Sequence, residues 1–139
     1  MTKKRKSTCY CINLRRAANA VTEIYNQILL PTGLSVNQYS LLKNIYRLES
    51  CCVSDLANYV GLERTTLVRS LKPLFKMGYI EDISEEGQRN RQLKVTKSGG
   101  QVLNQAELFW QTAQSEVEQK IGKEKIKQLS EILSLIVDD

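Results

Sequence analysis

Residues 53–96, VSDLANYVGLERTTLVRSLKPLFKMGYIEDISEEGQRNRQLKVT, restrict the fold more than any other stretch of the chain. Leu56, Ala57 and Val60 recur at helical spacing, and Gly61 follows, free to take the left-handed turn that ends a helix. A second helical pattern starts almost at once. Leu67, Val68, Leu71, Leu74 and Phe75 mark one side of it, while Thr65, Arg69, Lys72 and Lys76 recur at steps of four, three and four on the other. At about 100° per residue those four fall within a sector of roughly 60°. Beyond Gly78, YIEDIS and RQLKVT have strand composition and flank EEGQRN, a loop suited to a hairpin. Two short helices across a tight turn must therefore pack together, with a two-stranded ribbon beside them.

The flanks are helical. Leu14, Ala17, Ala18, Val21, Ile24, Tyr25 and Ile28 trace an apolar face over about residues 11–30, which Pro31 and Gly33 end. Ser35 with Gln38 three residues on forms a capping-box pattern for a helix running to about Glu49. Thr96 caps another, over about residues 97–120, with Leu103, Ala106, Trp110, Ala113 and Val117 along one side. After Gly122, Ile126, Leu129, Ile132, Leu133 and Ile136 define a last one. One small core cannot cover the apolar faces of the first and the last two helices, so a second copy of the chain is expected to cover them.

Composition narrows the chemistry. The 139 residues include no histidine, which removes His-dependent triads, His general bases and His metal ligands. No glycine-rich phosphate loop or dinucleotide fingerprint occurs. The four cysteines, Cys9, Cys11, Cys51 and Cys52, lack the Cys-x-x-Cys spacing of a structural zinc site, and adjacent Cys51 and Cys52 are poor joint ligands. No enzyme activity, metal or cofactor is expected. Without a long apolar run the chain is expected to be cytoplasmic, with reduced thiols.

A net charge of +5 suits an anionic partner, and its distribution says more. MTKKRK opens the chain with four cations, residues 64–76 hold four cations and no acid, and the end, VDD, is acidic. A charged row is ordinarily the solvated side of an amphipathic helix. Here the row lacks acids, directly follows a glycine-containing turn and precedes a hairpin bearing Arg89 and Arg91. Helix, tight turn, helix and ribbon is the order of a winged helix-turn-helix, whose second helix enters the major groove of DNA. The fold class expected is mainly α, with a two-stranded β-wing and long flanking dimerisation helices.

The segments LRRAANAVTEIYNQILLPTGLSVNQYSLL, VSDLANYVGLERTTLVRSLKPLFKMGYI and QRNRQLKVTKSG resemble the MarR family of transcriptional regulators. The resemblance implies one chain, 1–139, that forms a homodimer through residues 8–34 and 97–139 and reads a pseudo-palindromic operator in double-stranded DNA through residues 35–96. It implies a repressor released by a small-molecule effector or by thiol oxidation. By motif position Thr65, Thr66 and Arg69 match the DNA-contacting part of the reading helix, Arg64 a basic helix-start residue and Arg89 the wing-tip arginine of the minor groove. With Lys72, Lys76 and Arg91 these are the DNA-binding candidates. Gly87 replaces an aspartate that braces the wing arginine in many relatives, and Pro73 is expected to bend the reading helix. Cys9 and Cys11 resemble the placement of the sensing thiol in the peroxide-responsive branch, and Tyr39 matches a tyrosine that contacts it there. Two other readings fit the pattern: a winged helix that binds protein, and a redox protein using Cys9 and Cys11.

Overall fold

The computed structural model describes residues 5–137; the first part of the basic leader, residues 1–4, and the terminal acidic pair, residues 138–139, lie outside the described residues. Helix α1, Tyr10–Leu29, gives way to a short 3-10 turn, Leu30–Thr32, in which Pro31 supplies a preset φ, and Gly33 closes the turn in the left-handed region at φ 76°. Helix α2, Val36–Arg47, starts at the anticipated capping box: Gln38 N–H donates to Ser35 Oγ at 3.1 Å, and Ser35 N–H donates to Gln38 Oε1 at 2.9 Å. It stops short of Glu49, which takes a φ of 61°.

That reversal starts a strand absent from the sequence reading. β1, Ser50–Cys52, pairs antiparallel with β3, Gln92–Val95, which also pairs with β2, Ile80–Asp82, so the sheet has three strands in the order β1-β3-β2. The expected two-stranded ribbon is present as β2 and β3, and β1 adds a third strand to it. Three residues of Ser and Cys are too short to show alternation; only pairing with β3 makes them a strand. Cys51 and Cys52 are buried there, and burial, followed by the nearby Cys52 and Asp55, pushes the Cys51 thiol pKa up. Cys52 also caps helix α3, Val53–Val60, with its Sγ accepting from Asp55 N–H at 3.4 Å. These two cysteines belong to the architecture.

Helix α3 ends at Gly61, φ 72°, and helix α4, Arg64–Lys76, follows. Leu67, Leu71 and Leu74 of α4 are buried with Leu42, Ile45, Leu56 and Leu93 in one core. Each such side chain contributes about 1.5–3 kcal/mol of burial. Val68 and Phe75, assigned to the apolar side by sequence, remain 42% and 40% exposed. Both sit on the wheel between the leucine stripe and the basic sector, at the edge of the packed face. The helix runs through Pro73, which is exposed, so the missing backbone donor falls on the solvent side.

Helix α5, Lys97–Ile121, is capped by Thr96, whose Oγ1 accepts from Gly99 N–H at 3.1 Å and donates to Gly78 O at 2.6 Å. A second apolar cluster joins Tyr25 of α1 to Ala113 and Val117 of α5, where the Tyr25 hydroxyl donates to Gln114. Helix α6, Lys123–Val137, buries no residue: Ile132, Leu133, Leu135, Ile136 and Val137 are all exposed. The first half of α1 is exposed as well, Ile12 and Leu14 included. No helix among the described residues is long and apolar enough to cross a membrane.

Candidate nucleic-acid interface

The leucine stripe holds α4 by one side against the core, which fixes the direction of the other. Thr65, Thr66, Arg69, Lys72 and Lys76 are all exposed. Among the described residues the only ion pairs are Lys43–Glu107 and Arg91–Asp82, so Arg69, Lys72 and Lys76 form none. Unneutralised cations on a rigid platform leave their full charge for a partner. Arg64 differs, because its Nη1 donates to Ser54 Oγ of α3 at 3.0 Å and ties the two helices together.

The wing joins β2 to β3. Its turn is held by Gln88 N–H donating to Glu85 O at 3.1 Å, with Gly87 at φ 82°. Arg91 Nε donates to Asp82 Oδ2 at 2.6 Å and Nη1 to Gln88 O at 3.3 Å, so Arg91 clamps both strands of the wing. A bond from Ser84, then the Arg91 guanidinium, holds the Asp82 carboxyl below the usual carboxylate range. Gly87 leaves Arg89 without its expected acidic brace, and the bracing ion pair lies one step nearer the sheet. Arg89 itself is exposed and forms no ion pair among the described residues.

The redox candidates are not brought together within one chain. Cys9 and Cys11 are free and exposed at the start of α1. Tyr39 is buried, and its hydroxyl donates to Glu107 Oε2 at 2.7 Å rather than meeting a cysteine. Burial, then the Glu107 contact, pushes the Tyr39 pKa up. Groups of three or more acidic, cysteine or histidine side chains able to hold a metal are absent among the described residues.

Around Tyr39 the structure assembles a site that sequence reading missed. Lys43 Nζ lies 3.3 Å from Glu107 Oε2, 3.2 Å from Tyr39 Oη and 4.7 Å from the centre of the Trp110 ring. Tyr39 and Trp110 stack with centroids 6.1 Å apart. A cavity of about 340 Å³ opens beside them, lined also by Tyr25, Asn44 and Arg47. Trp110 was legible only as part of an apolar stripe, and Glu107 stands 68 positions from Tyr39, beyond any local spacing.

Fold and exposed basic helix together define a winged helix-turn-helix protein with long helical arms. The MarR family profile matches residues 34–87, from the start of α2 to the wing. HTH-type transcriptional regulator Hpr of Bacillus cytotoxicus is 26% identical over 85 residues, 60% of this chain and 46% of Hpr, so the match spans about half of that curated relative. The M. tuberculosis transcriptional regulator MosR is 29% identical with a TM-score of 0.73, covering 93% of this chain and 98% of MosR, and its complex with DNA gives 0.74. A mutant of E. coli MarR, complexed with operator DNA, shares the fold at a TM-score of 0.79 and 20% identity over 91% of this chain and 95% of its own. Over residues 34–87 the chain is similar to the MarR family, and these relatives are transcriptional regulators.

Proposed function

We propose that this protein is a cytoplasmic homodimeric repressor that reads a pseudo-palindromic operator. The observation that carries this reading is the row Thr65, Arg69, Lys72 and Lys76, exposed on a helix whose opposite side is buried and whose cations form no ion pair among the described residues. Residues 35–96 read DNA in this proposal, and residues 8–34 and 97–139 hold two copies together. Thr65, Thr66 and Arg69 face base edges and phosphates, Lys72 and Lys76 face phosphates, and Arg89 reaches the minor groove. Arg64 and Arg91 act mainly by setting the α3–α4 angle and the wing.

Release by a small molecule is favoured over release by oxidation. The cavity beside Tyr39, Lys43 and Trp110 lies between α2 of the reading unit and α5 of the dimer arm, so an occupant would alter their packing. Two stacked rings suit an aromatic ligand, and Arg47 offers it a cation that forms no ion pair among the described residues.

Selection from a random DNA pool tests the reading: a two-fold symmetric site should emerge. Arg69→Ala should then bind it more weakly, by about 1–3 kcal/mol where the arginine is bidentate to guanine, and lose preference at that base pair. Arg89→Ala should weaken binding with little change in major-groove preference. Wild-type affinity in both variants would leave the basic row facing only water.

A further inference from the structure

Beside the Trp110 cavity stands a carboxylate of the protein itself, bonded to two of the side chains that line it. Glu107 Oε2 accepts from the Tyr39 hydroxyl at 2.7 Å and lies 3.3 Å from Lys43 Nζ, while Gln111 Nε2 donates to Glu107 Oε1 at 3.4 Å. Two of those donors, Tyr39 and Lys43, line the cavity itself. These bonds hold the Glu107 carboxyl below its usual range, Tyr39 first, so it stays ionised at neutral pH. The Lys43 ammonium is thereby neutralised before any ligand arrives. Arg47, which lines the same cavity, forms no ion pair among the described residues.

We infer that Glu107 is an internal competitor for Lys43, a selectivity residue that weakens the binding of carboxylate effectors and not of neutral ones. An incoming aromatic acid can stack near Trp110 and reach Arg47, but to gain Lys43 it must break an existing pair or sit beside a second carboxylate. A neutral aromatic ligand meets neither obstacle. Glu107 therefore sets a threshold for acids. The pair also ties α2 to α5, so an acid able to displace Glu107 removes a link between reading unit and dimer arm in the act of binding. This inference rests on the effector site proposed above.

Trp110 is the only tryptophan in the chain, and it touches the site, so its fluorescence reads occupancy without any DNA. Benzoate and benzyl alcohol serve as probes of one shape class and two charges. Glu107→Gln keeps a hydrogen-bonding side chain of the same size at a position 41% exposed, and the full chain should fold. The variant should bind benzoate about fivefold more tightly than wild type, the scale of one exposed charge interaction, while benzyl alcohol changes less than about twofold. A merely structural role for Glu107 would shift both probes alike. Equal benzoate affinity in the two proteins, weaker benzoate binding in the variant, or parallel shifts of both probes would overturn the inference while leaving the effector site intact. No response of Trp110 to either probe in either protein would overturn the inference together with the effector site, and operator binding, measured separately, would stand.

Discussion

Gly99 is the glycine with the least room around it. A Cβ built there would stand 2.2 Å from the backbone oxygen of Tyr79 and 2.8 Å from a methyl of Val95, and a carbonyl in a paired segment cannot swing aside. Its value is positional: it lets the first turn of α5 pack directly on the chain entering β2, so α5 starts from a fixed point on the winged helix. Gly99→Ala should destabilise the protein by about 1–3 kcal/mol through that overlap. Gly100→Ala is its control, since nothing lies within 4 Å of the added carbon. Urea unfolding of the two variants checks this: equal midpoints would mean the α5 start is loosely seated. Sequence showed both glycines only as weak points in a helical pattern, because a close approach between residues 79 and 99 leaves no trace in local composition. The carboxylates obey a simpler rule. Asp82 and Glu107 both titrate below their ordinary values, so what they contribute is present above those values and is lost only in acid, as pH falls through the lowered folded pKa. The wing clamp and the Lys43 pair are therefore constant across the neutral range.

At the level of elements, legibility followed length and periodicity. The α-helices appear where their apolar spacing and caps place them: the Ser35 and Gln38 box, the Gly61 turn and the Thr96 cap each specify an end through a few adjacent residues. Strand β1 was hidden because its only evidence is a partner strand that begins at Gln92, far along the chain. The reading helix was legible as a basic row, yet its apolar side was drawn too wide, since Val68 and Phe75 lie at an edge that only the packing defines. Helix α6 is the opposite case. Its apolar positions are plain in sequence, and within one chain Ile126 packs against the Tyr25, Ala113 and Val117 cluster while the positions from Ile132 onward stay exposed. Leu135 is 82% exposed and Ile136 60%, values that suit the covering surface of the proposed second copy. Truncation after Lys120 should therefore leave the winged-helix core folded and convert a dimer to a monomer, with operator affinity falling as the two half-sites are read independently. Sedimentation at micromolar concentration checks it: a truncated protein that still sediments as a dimer would place the interface elsewhere, on α1 and α5 alone.

On the scale of the whole molecule, charge decides how the proposed dimer would meet DNA. The net charge of +5 per chain is modest, so binding must depend on where the cations sit rather than on their number. The structure sorts them by commitment. Lys43 is neutralised by Glu107, Arg91 is committed to Asp82, and Arg69, Lys72, Lys76 and Arg89 remain exposed without ion pairs among the described residues. Only the last set can displace condensed counterions from a duplex. Each phosphate neutralised adds about 0.9 to the slope of log affinity against log salt, and a symmetric dimer presents every cation twice. Lys72→Ala or Lys76→Ala, measured by gel shift across a salt series on the selected operator, should therefore make the slope shallower by about 1.8 and weaken unrelated DNA in proportion. Lys43→Ala should leave the slope unchanged, whatever it does to the cavity. A Lys72 variant that loses affinity at constant slope would show that this side chain shapes α4 and does not meet phosphate, and a Lys43 variant that flattens the slope would move the interface from α4 towards the cavity.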